Sequence, residues 1–152
     1  MPAVARLEPN PFDPATELAE LTRCAAGDGA VMSFVGVARD VTKNGEPLQS
    51  LVLEHHPRLT AKSLDDIASD ALLRFTVSHV RVVHRCGEIS PGEPIVFAGA
   101  TSVHRRAAFE AADYLMDRLK TEAIFWKREE GPNGSSWIEP TEADYADRHR
   151  WE

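Results

Sequence analysis

The run IVFAGATSVHRRAAFEAADYLMDRLK, residues 95 to 120, constrains the fold more than any other stretch of the chain. Residues 95 to 103 are largely apolar and read as a strand. Thr101 or Ser102 then caps a helix carrying Ala108, Ala111, Ala112, Leu115, Met116 and Leu119 along one side, and ending at Lys120 or one or two residues beyond. A helix with one apolar stripe must lie on another element, and a strand feeding straight into it points to a sheet.

The same alternation recurs upstream. AVMSFVGV (30 to 37) reads as a buried strand, and LQSLVLEHH (48 to 56) follows a polar Asn44-Gly45 loop at 41 to 47 as a second. Pro57 closes that strand. A helix from about Thr60 or Ser63 to Phe75 presents Leu64, Ile67, Ala68, Ala71, Leu72 and Phe75 at three- and four-residue steps, with Ser63 and Asp66 as a weak capping signal. VSHVRVVHR (77 to 85) alternates without revealing its buried face, and ISPGEP (89 to 94) is a turn. AIFWKRE (123 to 129) and a short strand around Trp137-Ile138 flank the GPNG turn at 131 to 134. The order β-β-α-β-β-α-β-β predicts an α+β fold, a two-layer α/β sandwich. With 152 residues, 43% hydrophobic, and no internal repeat or dividing linker, the chain reads as one domain spanning 1–152. Residues 1–14, with four prolines, read as an extended lead-in preceding a short helix from Thr16. Residues 141–152 read as a polar tail with Trp151 unplaced.

Charge narrows the function. Seventeen Lys and Arg against 24 Asp and Glu leave a formal charge of −7, the wrong sign for a general nucleic-acid binder. No run of 18 apolar residues and no signal-peptide core occur, so no membrane association is expected and the cytoplasm is the expected location. Cys24 and Cys86 have no metal-ligand or CxxC spacing and read as free thiols in a reducing compartment, Cys86 after His84-Arg85 being the only one weakly flagged as reactive. Without HExxH, an EF-hand loop, GxxxxGK[ST], GxGxxG or GxSxG, neither a metal nor another cofactor is expected.

The positive charge that exists is concentrated. His104, Arg105 and Arg106 open the long helix, where cations conflict with the helix dipole. A bound phosphate or carboxylate resolves that conflict; pairing with a carboxylate such as Glu110 is the alternative. Lys120 and Lys127 stand seven residues apart across a helix-to-strand change, so a short connection lets both enter one cleft. A lysine near other cations has a lowered pKa and can serve as base, acid or nucleophile; a pair of surface lysines is the plainer reading. Arg39 ends the first apolar run, as either a pocket-rim or a surface arginine.

At FVGVARD (34 to 40), LVLEHHP (51 to 57), VVHRCGEISPGE (82 to 93), TSVHRRAAFEAADYLMDRLK (101 to 120) and FWKRE (125 to 129), the chain resembles the large, catalytic subunit family of molybdopterin synthase. The blocks stand in the family's order and spacing from about Gly29 to Ile138. The resemblance implies an α+β architecture with a hammerhead-like subdomain and a central homodimer. It also implies a small ubiquitin-like sulfur-carrier subunit on each protomer, making a heterotetramer. That partner's C-terminal Gly-Gly thiocarboxylate delivers two sulfurs to a cyclic pyranopterin phosphate, precursor Z, forming the dithiolene of molybdopterin. On the same resemblance, Lys120 is the main acid–base group or the amine handling the acyl carbon, and Lys127 assists. Arg39, His104 and Arg105, with Arg106 in the same turn, bind phosphate or the peptide carboxylate. Three positions depart from the family pattern: Ile124 replaces a common proline, His56 a tyrosine, and Thr141 an arginine offered to the neighbouring subunit, for which Arg148 and Arg150 are candidate substitutes. The rival readings are a non-catalytic dimeric module that binds the Gly-Gly tail and a different small-phosphate enzyme on a similar scaffold.

Overall fold

A computed structural model describes residues 1–152. One four-stranded sheet is built from β1 (Ala3–Glu8), β2 (Ala30–Val37), β4 (His79–Arg85) and β6 (Pro94–Ser102), ordered β1-β4-β6-β2. Its pairs are antiparallel except β1 with β4. Helices α2 (Leu59–Arg74) and α3 (Arg105–Glu122) cover one face. Leu64, Ile67, Ala68 and Ala71 of α2 meet Ala111, Leu115 and Leu119 of α3 over Val80, Val82, Val96, Ala98 and Ala100. Both helical stripes read from the sequence are therefore buried against this sheet. On the opposite face α1 (Pro14–Cys24) lays Leu21 on Val83 and Phe97. Gly99 permits this approach, since a Cβ there would come within 2.6 Å of the Leu21 side chain and 2.9 Å of the Met32 carbonyl. Strand β4 is thus covered on both sides, which is why its alternation pointed to neither.

The second sheet, ordered β5-β3-β7-β8, is the added subdomain: β3 (Ser50–His55), β5 (Gly87–Ile89), β7 (Phe125–Gly131) and β8 (Gly134–Ile138), all antiparallel. It has its own small core of Ala38, Leu48, Leu51, Leu53 and Ile89. Half-buried Phe125 packs against both cores and joins the two sheets.

Several local expectations are corrected. Residues 3–8 of the lead-in form β1, because the prolines stand outside that segment and leave its N–H groups free to pair with β4. Helix α1 begins at Pro14 rather than Thr16: Asp13 caps it, its carboxylate accepting the Ala15 N–H at 3.0 Å, and proline suits the first helical position. Strand β2 has the expected bounds but is not buried; it is a sheet edge that leaves Phe34, Val35 and Val37 37–50% exposed. Ser63 does not cap α2, which starts at Leu59 with His56 Nδ1 accepting the Arg58 and Leu59 N–H groups at 3.2 and 3.0 Å. His56 so gives its departure from tyrosine a structural use. The N-cap of α3 is His104, whose backbone N–H, not a helical one, donates to Ser102 Oγ at 3.3 Å.

The polar tail holds a helix, α4 (Glu142–His149), opened by a reciprocal capping box between Thr141 and Asp144. Trp151 packs edge-on against Phe75 and Tyr114, with ring centroids 5.6 and 5.5 Å away.

Because Leu115 is fully buried between the helices and the sheet, Leu115→Ala is expected to cost about 3 kcal/mol in urea unfolding. Leu73→Ala, at a helical position 85% exposed, is expected to change stability by less than about 0.5 kcal/mol.

Candidate active site

Only Ala123 and Ile124 separate α3 from β7, so Lys120 in the last helical turn and Lys127 near the start of the strand are carried to the same place. The connection is clamped by α2. Ser63 Oγ accepts the Ile124 N–H at 3.2 Å, and Thr60 Oγ donates to the Ile124 carbonyl at 2.6 Å. Thr60 Oγ also accepts the His56 N–H, tying the end of β3 to the same point. A proline at 124 would have no N–H to give Ser63. Isoleucine therefore does not loosen the lysine-bearing turn; it is held through a bond that only a non-proline residue makes.

Lys127 pairs across the sheet with Leu53 and Ile138 and is half-buried, whereas Lys120 is exposed. Burial lowers the Lys127 pKa first, and the positive charges of Lys120 and Arg39 lower it further. Glu129 and Asp144 pull in the other direction without reversing the shift. Arg39, just beyond β2, belongs to the same electrostatic neighbourhood. The structure thus brings Arg39, Lys120 and Lys127 together.

His104, Arg105 and Arg106 lie elsewhere. Along α3, Arg105 and Lys120 are about 22 Å apart at roughly 1.5 Å per residue. The basic turn opens a separate cleft lined by Arg74, Phe75, Ser102, His104, Arg106 and Glu110. All three basic side chains are exposed, and none forms an ion pair, with Glu110 or otherwise. Val103 and Phe109 beside them are about half exposed, at 56% and 49%. Thr141 serves as the N-cap of α4. Neither candidate substitute for an arginine there is free. Arg148 is bound to Glu122, and Arg150 bonds Asp117 at 2.7 Å and Asp113 at 3.2 Å.

One site residue was not singled out by its sequence pattern. His84 is buried within reach of the Lys127 charge and stacks on Phe125, with ring centroids 4.3 Å apart. Its Nδ1–H donates to the Arg85 carbonyl at 2.9 Å, leaving Nε2 as the acceptor. Burial first, then the charge of Lys127, lowers its pKa to about 4 against the opposing pull of that carbonyl, so the ring is neutral at pH 7. Cys86, by contrast, is buried with its thiol pKa raised, chiefly by that burial, which makes it a poor nucleophile.

His84 supplies a pH prediction. Between about 4 and the ordinary histidine value the unfolded chain binds more protons than the folded one, so stability rises with pH there and is lost on acidification. The loss attributable to this ring is expected to reach at most about 3 kcal/mol. Urea midpoints of wild type and His84→Phe, compared at pH 7 and pH 4.5, are expected to fall less in the variant.

A family described as MoaE protein matches residues 7–122. The chain is 44% identical over 147 residues to the molybdopterin synthase catalytic subunit of Pseudomonas aeruginosa, covering 97% of each chain. It is 47% identical over 124 residues to the protein of the same name from Escherichia coli, covering 82% of each. Among solved structures, the molybdopterin biosynthesis MoaE protein from Burkholderia ambifaria superposes with a TM-score of 0.82 at 37% identity, covering 98% of this chain and 97% of the other.

Proposed function

The chain belongs to the MoaE protein family, and from that premise we propose that it is the catalytic subunit of a molybdopterin synthase. It takes sulfur from the C-terminal thiocarboxylate of a small ubiquitin-like partner and delivers it to cyclic pyranopterin phosphate. The observation that carries this reading is the convergence of Lys120 and Lys127 beside Arg39, at the end of a clamped two-residue connection. An anionic tail meeting an anionic substrate needs such a pocket of fixed positive charge.

The chemistry divides between the two amines. The thiocarboxylate sulfur attacks an oxygen-bearing carbon of the substrate, so that a C–S bond forms as that carbon's C–O bond breaks and the oxygen leaves as phosphate or, once protonated, as water. Water then cleaves the acyl–sulfur bond, so the partner leaves as a carboxylate and the sulfur stays behind. Exposed Lys120 meets the incoming tail and the charge that develops on its acyl oxygen. Lys127, with its pKa lowered, has more neutral amine at neutral pH than an ordinary lysine and so is suited to move protons.

The basic turn at His104 to Arg106 cannot serve the lysines of its own chain from the other end of α3. We assign it to the pocket of a second protomer in a homodimer, where it binds the substrate phosphate at a helix N-terminus. Two features support this assignment: the three cations are unpaired, and Val103 and Phe109 beside them leave an apolar surface for a neighbour to cover. No helix is long and apolar enough to cross a membrane, and the two free cysteines suit a cytoplasmic setting.

The test combines purified protein, thiocarboxylated partner and precursor Z, with dithiolene product as the readout. Lys120→Ala is expected to lose at least about 100-fold in rate, and Arg105→Ala to bind substrate more weakly. Mixing these two variants with subunit exchange is expected to restore about a quarter of wild-type activity, because half the dimers are mixed and each has one intact cross-protomer site. No recovery would place both residues in one chain's site, and full activity in Lys120→Ala would end the lysine mechanism.

A further inference from the structure

Helix α4 runs antiparallel to α3 and is fastened to it at three points. Arg148 holds Glu122, Arg150 holds Asp113 and Asp117, and the Trp151 indole N–H donates to Asp117 at 2.7 Å. The successive partners step back along α3 from residue 122 to 113, which fixes the direction of α4. Asp144 lies one turn before Arg148, about 6 Å further along the axis. It therefore reaches past Glu122 to the end of α3 where Lys120 and β7 meet. The capping box orients its carboxylate: one oxygen accepts the Thr141 N–H at 2.8 Å, and the other has no hydrogen-bond partner within the chain.

From this placement we propose that Asp144 is a fixed counter-charge of the lysine pair, a positioning residue that, with Glu129, keeps Lys120 and Lys127 in one pocket before an anionic substrate arrives. The inference rests on the synthase reading for its purpose but not for its measurement. The pocket needs such a group. Lys120 comes from α3, Lys127 from β7 and Arg39 from the loop after β2, so the charges of two cations act on a third, while buried His84 on β4 is neutral. Two acids answer them, Glu129 on β7 and Asp144 on α4. Glu129 acts on Lys127 more strongly than Asp144 does. Each acid has one oxygen held by a backbone N–H, Glu129 by Lys43 at 3.0 Å and Asp144 by Thr141 at 2.8 Å. Asp144 is acted on by both lysines and is carried by the separate helix α4. Electrostatics agree in both directions: Asp144 pulls the Lys127 pKa up against its overall lowering, and the Asp144 pKa, pushed up by burial, is brought below the ordinary value by the Thr141 N–H first and then by Lys120 and Lys127. Trp151, Arg150 and Arg148 then act as the fastening that holds this charge in place, and the tail becomes part of the site.

The experiment titrates the lysines by NMR in the full-length protein with 13C-labelled lysine side chains, Lys127→Arg identifying the resonance. Asp144→Asn removes the charge but keeps an oxygen to accept the Thr141 N–H. It is expected to move the Lys127 midpoint to lower pH and to raise its rate of acylation by a small amine-reactive reagent at pH 7 roughly two- to threefold. Asp144→Glu is expected to return the midpoint towards wild type. Glu142→Gln, which removes a charge from the same helical turn, is expected to leave it in place. An unmoved midpoint in Asp144→Asn, or an equal shift in Glu142→Gln, overturns the proposal. In the product assay, the acid limb of the Asp144→Asn pH profile is expected to shift the same way. Absence of product from wild type would count against the synthase reading alone, since the titration needs no substrate.

Discussion

The clamp on Ile124 is the constraint on which the placement of the site depends. Two hydroxyls of α2 grip the N–H and the carbonyl of one residue, and through it fix the angle at which the second sheet leaves the helical layer. Both lysines are attached to this joint, one on either side. The long α3 stripe buried against the first sheet holds one arm rigid, and the β3–β7–β8 ladder holds the other. Precision at the site thus comes from packed elements, with only two residues of connection exposed to drift.

Holding three cations together costs free energy that packing must offset. The fold keeps that cost low by graded exposure. Lys120 stays in water, where its charge is screened, while Lys127 is drawn under cover and gives up part of its affinity for a proton. Near Lys127 a buried, neutral histidine stacks on Phe125 without adding charge. Elsewhere the chain shows the opposite solution. Buried Glu17 sits between Arg6 at 3.1 Å and Arg81 at 2.9 Å, and these bonds and charges outweigh the upward push of burial on its pKa. That cluster is neutralised and structural, whereas the lysines are left with a positive excess, as the proposed binding of an anion requires.

Much of the framework was legible in the sequence. The apolar steps of α2 and α3 repeat at the helical period over four turns or more, long enough for periodicity to outweigh local ambiguity. The family blocks likewise single out Lys120, Lys127 and Arg39 as candidates. Edges and ends were harder to read. The composition of β2 resembles that of a central strand, yet it lies at the border of the sheet, and nothing local encodes strand order. Thr141 and Asp144 carried a readable capping signal, masked by the polarity of a helix whose anchoring falls to one tryptophan and two arginines. The significance of His84 depends on Phe125 and Lys127, forty or so residues away, and no local pattern reports such a contact.

The basic turn shows where the two kinds of information divide. The sequence by itself determined that His104, Arg105 and Arg106 open a helix whose dipole does not favour them, which points to an anion. It also determined that Lys120 ends the same helix. That these are different places follows from the same helix, because an α-helix is a rod of fixed rise and fifteen residues cannot be folded back on themselves. Only the tertiary structure decided that Lys120 comes near enough for its charge to act on Lys127, since that depends on the angle of a two-residue joint set by hydroxyls of a helix some sixty residues earlier in the chain. Local chemistry is written in the order of residues. Which chemistries meet is settled by packing, where the separation along the chain no longer measures distance.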